Sequence, residues 1–350
     1  MARAGVGLDI GTSAIRAAQI TMGRGGAALT SFGQVALPVG AVVDGEIRDP
    51  GAVSDAAAQL WKRVKIRSKR AIVGVANQRV VVRQVDLPFL EEKEFRNSLQ
   101  FQVADHIPMP VEAAELDYQI VDDYTTESGD HMMRVLLIAA ATEMVDSFVS
   151  TLATAGIEAA GIDLTPFAVA RAVSAAARGE VGIAGAEAIV DVGAGITNIV
   201  IHHNGEARFV RILLIGGDEI TNALADGLDV SYDEAEAMKL DLGRGVGTAE
   251  AQRILAQRVD VLVNEIRGSL DYYVSQEESE PVTSLILTGG GSLTPGLIPQ
   301  LEQTLRTQVR RATPLSELSW RKSGLTEEQV AHIDPIAAAA VGLGMGVTGK

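Results

Sequence analysis

The chain contains no cysteine among its 350 residues. A disulfide framework is therefore excluded, and so is any metal site that depends on thiolate ligands. The five histidines are scattered, and the adjacent pair His202 and His203 would point to opposite faces of a strand. A metal site built from histidines is therefore not expected. The composition fits a reducing compartment without proving one.

Basic residues are scarce relative to acidic ones. The 30 lysines and arginines stand against 45 aspartates and glutamates, which gives a formal net charge of −15. Such a charge disfavours non-specific attraction to nucleic acid or to anionic lipid. We therefore expect neither as a main partner.

Long apolar runs are also missing. The longest nearly apolar stretch, residues 336–347, is rich in alanine and glycine and well short of the roughly 20 residues that a bilayer span requires. We expect it to form a buried helix packed closely on a sheet. Near the N-terminus, Asp9 and Arg16 interrupt the apolar run too early for a signal peptide. These features predict a cytoplasmic globular protein without direct membrane insertion, and its 47% hydrophobic residues can fill two cores.

One pattern occurs twice in the chain. Residues 6–16 and 188–199 each contain a short apolar strand, an Asp-apolar-Gly step, a turn of small residues and a returning strand. Turns of Gly, Ser and Thr let backbone N–H groups approach phosphate oxygens closely. The aspartates that end the first strands, Asp9 and Asp191, would repel phosphate directly but can hold Mg²⁺, usually through water. Each hairpin alone is also compatible with an ordinary β-turn, but the repeat favours two related half-domains that face each other across a phosphate.

A third glycine cluster follows the two hairpins. Residues 285–297 read as a strand, a glycine turn and a helix, with Gly289, Gly290 and Gly291 in succession. Three glycines bring the backbone against something flat, for which a purine ring or a ribose is the natural candidate. The alternative is a loop that only needs positive φ. Because two phosphate-type hairpins precede it, the cluster favours a nucleotide site.

The element pattern predicts an α/β protein of two lobes. We expect the core of the first lobe in residues 1–40, a compact inserted α+β unit in residues 41–155, and a connecting helix of the first lobe in residues 156–185, which ends in a glycine-rich linker at 179–185. The second lobe is expected in residues 186–330 with a small subdomain at about 216–280. A C-terminal helix in residues 331–350 would return to the first lobe.

The sequence resembles the superfamily of actin, the heat-shock chaperone ATPases and the sugar kinases. In that superfamily the nucleotide cleft is built from two phosphate hairpins, an adenosine glycine loop and two crossing helices. Segments that match these five signatures are residues 9–13, 191–198, 288–292, 163–168 and 334–339. The resemblance implies an actin-like (ribonuclease H-like) two-lobed ATPase fold that binds ATP and Mg²⁺.

The resemblance also implies site residues. Asp9 and Asp191 would hold Mg²⁺ through water, and Glu236 and Lys239 fall where relatives carry a pair that reaches the ribose and base. Arg16 stands where actin-like members often have a phosphate-contacting lysine, and its planar fork can still hold phosphate. The other implied nucleotide-binding residues are Gly11, Thr12, Ser13, Gly193, Ala194, Gly195, Thr197, Asn198, Gly217, Gly289, Gly290, Gly291 and Ser292.

Within the superfamily the chain resembles the PilM family of type IV pilus assembly proteins, relatives of the division protein FtsA, over nearly its whole length. The distinguishing segments are residues 44–50, 82–88, 106–110 and 116–119. Nucleotide binding explains none of them. They lie in the inserted unit, and the resemblance implies that this unit is the FtsA/PilM-type subdomain that replaces actin's small subdomain.

One departure from the family pattern concerns catalysis. FtsA-like proteins often have a glutamate before the proline of the first connecting helix, and here that position is Thr165. Loss of a positioned general base typically costs about 10² to 10⁴ in rate. Asp163 is a candidate substitute base, although a helix-cap role suits it better, and Asp9 and Asp191 are the other weak catalytic candidates. We therefore expect ATP binding with slow turnover at most.

The resemblance further implies an adaptor at the inner face of the cell membrane. It would hold the N-terminal cytoplasmic tail of a PilN-type membrane protein, among other pilus inner-membrane components, with ATP as a conformational ligand. The candidate groove for the tail lies between the inserted unit and the first lobe, near residues 87–89 and 107–109. Two alternatives stay open: an FtsA-like filament with self-association, although residues 342–350 show no amphipathic membrane helix, and a small-molecule kinase, for which no acceptor feature is found.

Overall fold

The computed structural model describes residues 3–23, 26–177, 185–276, 279–316 and 318–346. Residues 179–184 of the predicted linker and residues 347–350 of the predicted C-terminal segment lie outside this set. Within it, two five-stranded sheets and a separate three-stranded sheet account for the main strands. Each five-stranded sheet belongs to one lobe.

The first lobe begins with an antiparallel meander and continues through two parallel strands. Its elements are β1 (Arg3–Ile10), β2 (Ala14–Gly23), β3 (Gly26–Ala36), the short hairpin β4 (Val42–Val43) and β5 (Glu46–Ile47), α1 (Pro50–Val64) and β6 (Arg70–Val75). After the inserted strands the chain returns as α3 (Thr142–Thr154), β10 (Glu158–Leu164) and α4 (Thr165–Ala177). The sheet order is β10-β6-β1-β2-β3, with β6 and β10 parallel to β1.

The inserted unit lies between β6 and α3 and has a core of its own. It consists of β7 (Val80–Pro88), α2 (Glu92–Val103), β8 (Ala114–Thr125) and β9 (His131–Ala141), with the antiparallel order β7-β9-β8. Apolar residues of α2 such as Phe95 and Leu99 pack against Met133 and Val135 on β9. The preceding α1 and the following α3 instead pack in the core of the first lobe. A separate core is therefore seen for α2 and β7 to β9, while the limits 41–155 of the inserted unit stay a prediction.

The second lobe repeats the topology of the first. Its sheet has the order β13-β12-β11-β14-β15, in which β11 to β13 form an antiparallel meander and β14 and β15 run parallel to β11. The elements are β11 (Ala186–Val192), β12 (Thr197–His203), β13 (Glu206–Leu213), α5 (Gly217–Leu228), α6 (Tyr232–Leu242), α7 (Ala249–Val274), β14 (Val282–Thr288), α8 (Leu297–Leu305) and β15 (Gln308–Arg311). They are followed by α9 (Glu327–Ile333) and by α10 (Ala338–Gly346), which packs on β1 and β2 of the first sheet.

Helices α4 and α10 pack against each other and against both sheets. Their core includes Val169 and Val173 of α4, Val341 of α10, Ile20 of the first sheet and Ile189 of the second. The glycines of α10 allow the contact, because a Cβ on Gly342 would lie 1.7 Å from the carbonyl oxygen of Ala168. The prediction of a buried helix packed closely on a sheet is confirmed, as all eight residues from 338 to 345 are buried.

Among the residues that the structure describes, no helix is both long enough and apolar enough to cross a membrane.

Candidate functional site

A cavity of about 390 Å³ lies between the two lobes. Its size falls in the range of small-ligand sites. The β1–β2 turn, the β11–β12 turn, the glycine turn after β14 and the first residues of α4 and α5 all contribute to its wall. The lining includes Asp9, Gly11, Thr12, Ser13, Arg16, Thr165, Asp191, Gly193, Ala194, Asn198, Gly217, Asp218, Tyr232, Glu236, Lys239, Gly289, Gly290 and Gly291.

Two tight turns form opposite walls of the cavity. In the first lobe Gly11 N donates to Ala14 O at 3.0 Å, and in the second lobe Gly193 N donates to Ile196 O at 2.8 Å. Both bonds close the same strand-turn-strand geometry. The turns also touch each other, because a Cβ on Gly195 would lie 2.7 Å from Oγ1 of Thr12. A side chain at position 195 would therefore require Thr12 or one of the turns to shift.

Each turn carries a carboxylate opposite a nitrogen-bearing side chain. Asp9 is registered against Arg16, and Asp191 against Asn198. Arg16 Nη1 contacts Asp9 Oδ2 at 3.4 Å, while Asn198 Nδ2 donates to Asp191 Oδ2 at 3.2 Å. Arg16 Nε is buried and finds no hydrogen-bond partner among the described residues. The two hairpins thus present the same polar arrangement with one extra cation in the first lobe.

The electrostatics of the two aspartates favour a cation between them. Burial raises the pKa of Asp191 to about 6, and the nearby Asp9 carboxylate adds to the rise while the Asn198 hydrogen bond opposes it. Burial also raises the pKa of Asp9, against the opposing effect of Arg16. Two carboxylates that are costly to ionise side by side are stabilised by a divalent metal, and oxygen ligands are those that Mg²⁺ prefers.

The third glycine cluster contributes the next wall. Gly289 has φ of 84°, and a Cβ there would lie 2.3 Å from Val192 O, so its own packing requires glycine. A Cβ on Gly291 would lie 2.4 Å from Val192 Cγ1. Gly290 lines the cavity, and the nearest atom to a Cβ there is 3.7 Å away. Close packing therefore explains why positions 289 and 291 are glycine. Gly290 is the glycine of the three with free space beside it, toward the cavity.

Helices α5 and α6 bring Glu236 and Lys239 to the cavity as a bonded pair. Lys239 Nζ lies 2.6 Å from Glu236 Oε2, and the lysine side chain is only 12% exposed against 39% for the glutamate. The hydroxyl of Thr221 is 2.6 Å from that same glutamate oxygen and 2.7 Å from Lys239 Nζ. Tyr232, which also lines the cavity, donates to Asp218 Oδ1 at 2.8 Å.

The sequence analysis missed Thr221, Asp218 and Tyr232. A signal was available in part, since Tyr232, Glu236 and Lys239 follow the spacing i, i+4, i+7 and share one face of a helix. Nothing local in the sequence places that face on the first turn of α5.

Four predicted site residues lie elsewhere than on the cavity wall. Thr197 is buried, and its hydroxyl donates to Ile215 O at 2.7 Å. Ser292 is buried behind the glycine turn, and Gly195 lies against Thr12 at the contact between the turns. Asp163 is on β10 and accepts from Arg171 Nη1 at 3.0 Å. Asp163 is thus engaged by α4 and does not belong to the lining of the cavity, and its role as a substitute base or a helix cap stays a prediction.

Thr165 does line the cavity. It begins α4, so the position at which FtsA-like proteins often have glutamate faces the site and here carries a hydroxyl. The cavity carboxylates among the described residues are Asp9, Asp191, Asp218 and Glu236. The last two already accept hydrogen bonds from Tyr232 and Thr221.

Two sheets of one topology, with a cleft walled by paired turns that each carry an aspartate, define the actin-like ATPase fold. A solved structure with this fold is MreB 5 of Spiroplasma citri bound to AMPPNP, with a TM-score of 0.51 and 13% identity over 89% of this chain and 91% of that one.

The chain belongs to the family described as "Type IV pilus assembly protein PilM", whose model matches residues 7–347. The solved PilM-PilN type IV pilus biogenesis complex has a TM-score of 0.86 and 25% identity, with 99% of each chain covered. The cell division protein FtsA of Bacillus subtilis is 27% identical over 198 residues, which are 51% of this chain and 44% of that FtsA. The chain thus has the actin-like ATPase fold of the FtsA-like branch and belongs to a family of type IV pilus assembly proteins.

Proposed function

We propose that this protein is an ATP-binding adaptor of the type IV pilus inner-membrane complex, and that its nucleotide state changes its affinity for the cytoplasmic tail of a PilN-type partner. The observation that carries the proposal is the pair of facing turns with Asp9 and Asp191 between them. The family and the solved PilM-PilN complex support the partner. The site would lie at the inner face of the membrane through that partner, beside other pilus components.

The residues of the cavity fit Mg²⁺-ATP. The turns at 11–13 and 193–194, which line the cavity, would receive phosphate oxygens, and Arg16, which also lines the cavity, would bring a positive charge to them. Asp9 and Asp191 would hold Mg²⁺ through water, and the metal would offset the phosphate charge. Gly290 and the Glu236 side of the cavity are left for the nucleoside.

We expect ATP hydrolysis to be slow at most, because the site has no free carboxylate at the position of Thr165 to act as a general base. Thr165 cannot accept a proton from water at neutral pH as a carboxylate does, and Asp163 is engaged by Arg171 outside the cavity. Asp218 and Glu236 serve the contact between α5 and α6. ATP would therefore act chiefly as a ligand that favours one arrangement of the lobes over another.

The turn between β4 and β5 supports a coupling between the cavity and the inserted unit. Asp44 and Gly45 have φ of 53° and 73°, and Gly45 lines the cavity, where a Cβ on it would lie 2.8 Å from Cδ1 of Ile196 in the second turn. Asn77 Nδ2 donates to Gly45 O at 3.2 Å, just before β7 enters the inserted unit. The segment 44–50, which nucleotide binding was not expected to explain, thus contributes to the nucleotide cavity.

Of the apolar residues predicted to line the groove for the tail, some are buried and others are partly accessible. Leu87 and Ile107 are buried in the core of the inserted unit. Phe89 is half-buried and stacks on His131 with ring centroids 4.0 Å apart. Met109 packs against both that core and the core of the first lobe. Phe89 and Met109 are therefore the apolar residues that we assign to the tail contact.

Nucleotide-dependent tail binding is the first test. A peptide of the PilN-type N-terminal tail is expected to bind the Mg²⁺-ATP and Mg²⁺-ADP complexes with affinities that differ about fivefold or more, as measured by calorimetry. Phe89→Ala should weaken the peptide, whereas Phe101→Ala, which removes an 84% exposed phenylalanine elsewhere on the unit, serves as the control. Equal affinities would contradict the modulation, and no binding in either state would contradict the adaptor.

Metal affinity is also expected to depend on pH. Mg²⁺ needs the ionised carboxylate, and the pKa of Asp191 is about 6. Below that pH a proton must leave when the metal binds, so affinity should fall by up to about tenfold per pH unit. From pH 7 to 8 the carboxylate is already ionised, and its contribution should be constant.

The measurement is a series of Mg²⁺-ATP titrations from pH 5 to pH 8 on the wild-type protein and on Asp191→Asn. Protonation of ATP itself affects both proteins equally, so the difference between the two curves isolates Asp191. Parallel curves across the whole range would show that Asp191 does not hold the metal.

A further inference from the structure

A run of basic residues contrasts with the acidic composition of the chain. Residues 62–70 contain no acidic residue, and all of their lysines and arginines are exposed. This run, which we call the basic patch, carries six of the chain's 30 basic residues, namely Lys62, Arg63, Lys65, Arg67, Lys69 and Arg70. A chain with net charge −15 thus concentrates positive charge on one small part of its surface.

The basic patch lies at the end of the first lobe that is opposite the cavity. It comprises the last turn of α1, the loop that follows and the first residue of β6. β6 runs parallel to β1 and β10. The cavity lies at the other ends of these strands, where Gly74 and Thr165 line it. Nucleotide binding therefore does not account for the charges of the patch.

Hydrogen bonds hold the loop of the basic patch in a defined conformation. Trp61 Nε1 donates to Ser68 O at 2.8 Å, and Glu158 N donates to Lys69 O at 2.7 Å. Ile66, which lies within the loop, is buried in the core of the first lobe. The charged side chains therefore extend from a backbone whose position is fixed.

Few of the charges in the basic patch are neutralised within the protein. Arg70 Nε lies 3.0 Å from Glu158 Oε1, but the two side chains are 67% and 61% exposed, and such surface pairs contribute little. Arg63 Nη1 donates to Gln34 O, a neutral acceptor, at 3.3 Å. Within the part of the chain that the structure describes, no salt bridge engages the remaining four, which are Lys62, Lys65, Arg67 and Lys69.

The helix dipole explains only part of the basic patch. Lys62 and Arg63 lie in the last turn of α1, where the dipole favours cations. The dipole effect falls off beyond the last turn, so it does not explain the charges of the loop. Like charges repel one another at this spacing unless an anion lies against them. The loop is therefore suited to an anionic partner from outside the chain.

The composition of the basic patch favours lipid headgroups over a protein partner. The cores of protein interfaces are depleted in lysine and enriched in aromatic residues. Here Trp61 and Ile66 are only 4% and 6% exposed, so the patch presents charge with little apolar surface. Clusters of about four to eight lysines and arginines are attracted to the anionic inner leaflet of a membrane.

The net charge of the chain does not prevent contact with an anionic surface. Salt screens charges beyond about 8 to 10 Å, so a surface that touches the basic patch interacts mainly with its six cations. The proposed function also brings the first lobe to the membrane. Met109, which we assign to the tail contact, packs against the core of the first lobe that contains Trp61 of α1.

We propose that the basic patch, residues 62–70, is a docking surface for the anionic lipid headgroups of the membrane, by electrostatic contact without insertion of apolar side chains. The patch adds a second, direct attachment of the first lobe to the attachment through the tail of the partner. Two weak attachments to one surface reinforce each other, because the first raises the effective concentration for the second. The proposal refines the expectation from net charge, which did not consider how the charge is distributed.

Co-sedimentation with lipid vesicles tests the proposal. Vesicles of phosphatidylcholine with about one third phosphatidylglycerol are compared with vesicles of phosphatidylcholine alone, at about 0.05 M salt, where screening is weak. The wild-type protein should sediment with the anionic vesicles and stay in solution with the neutral ones. Raising the salt concentration to about 0.5 M should release it.

A charge-reversed variant locates the contact. Arg67→Glu combined with Lys69→Glu should weaken binding to the anionic vesicles about tenfold or more, because each basic residue near such a surface contributes about fivefold. Arg258→Glu combined with Arg267→Glu makes the same change in net charge at exposed positions of α7 in the second lobe, and should change binding less than about twofold. The affinity of the Arg67 and Lys69 variant for Mg²⁺-ATP should equal that of the wild-type protein.

The outcomes decide the proposal without reference to the proposed function, because the experiment needs neither nucleotide nor tail. Failure of the wild-type protein to sediment with anionic vesicles at low salt would overturn it. Equal binding to neutral and anionic vesicles, or an equal loss in the two double variants, would overturn it as well. Tighter binding of the wild-type protein to poly-L-glutamate or to a DNA oligonucleotide than to anionic vesicles would replace lipid by an acidic protein or a nucleic acid.

Discussion

In the presence of Mg²⁺, Asp191→Asn is expected to bind ATP about 10²-fold more weakly than the wild-type protein. The substitution keeps the size of the side chain and removes the charge that would hold the metal. Without the metal, the negative phosphates meet Asp9 and the rest of a chain with net charge −15. Calorimetric titration of ATP in Mg²⁺-containing buffer measures the effect.

The same variant carries its own internal control. With EDTA in place of Mg²⁺, Asp191→Asn should bind ATP at least as well as the wild-type protein, because one carboxylate that repels phosphate has been neutralised. Asp163→Asn makes the same substitution at the end of a strand outside the cavity and should leave ATP affinity unchanged. A tenfold or greater loss in EDTA would mean that Asp191 supports the site by some means other than a metal.

Gly342→Ala is expected to destabilise the fold by about 3 kcal/mol or more, the upper range for adding a methyl group to a packed core. The new Cβ would lie 1.7 Å from the carbonyl oxygen of Ala168 and 2.4 Å from its carbonyl carbon. Backbone atoms cannot rotate away as a side chain can, so α4 and α10 must separate. Denaturant unfolding without ligand measures the free energy of unfolding.

Gly268→Ala is the matched control for this substitution. Gly268 lies within α7, and among the described residues no heavy atom outside its own helix turn approaches a Cβ there within 4 Å. Alanine should therefore stabilise the protein by about 0.5 to 1 kcal/mol, the difference in helix propensity. A Gly342→Ala protein as stable as the wild type would show that the two helices can move apart at no cost.

The parts of the site that the sequence predicted are those encoded within a few neighbouring residues. Each phosphate-type turn is one hairpin, so its strand, its aspartate and its glycines come from a run of about a dozen positions. The occurrence of two such runs indicated two similar lobes, and the sheets confirm it. The buried helix at the C-terminal end was predictable because its small, apolar residues leave it no other environment.

The features of the site that the sequence did not predict depend on contacts between separate helices and strands. Thr221 and Tyr232 lie on different helices, and only the packing of α5 on α6 makes them functional candidates. The position of Asp163 beside Arg171 could not be predicted either, because neighbouring residues of a strand face opposite sides and the sequence does not say which side faces the cavity. The packing of α1 and α3 in the core of the first lobe could not be read from the sequence, because both helices lie within the predicted segment 41–155 along the chain.

The repeated topology of the two lobes bears on the polarity of a bound ligand. Both walls of the cavity offer a similar turn with an aspartate, so a bare chain of phosphates finds much the same surroundings whichever end enters first. Apart from the charge of Arg16, the two orientations of ATP would be distinguished by contacts to its nucleoside from outside the repeated turns. Between β3 and β6 of the first lobe, the described residues form no helices equivalent to α5 and α6. These two helices would therefore make one end of the cavity different from the other and fix the direction in which ATP binds.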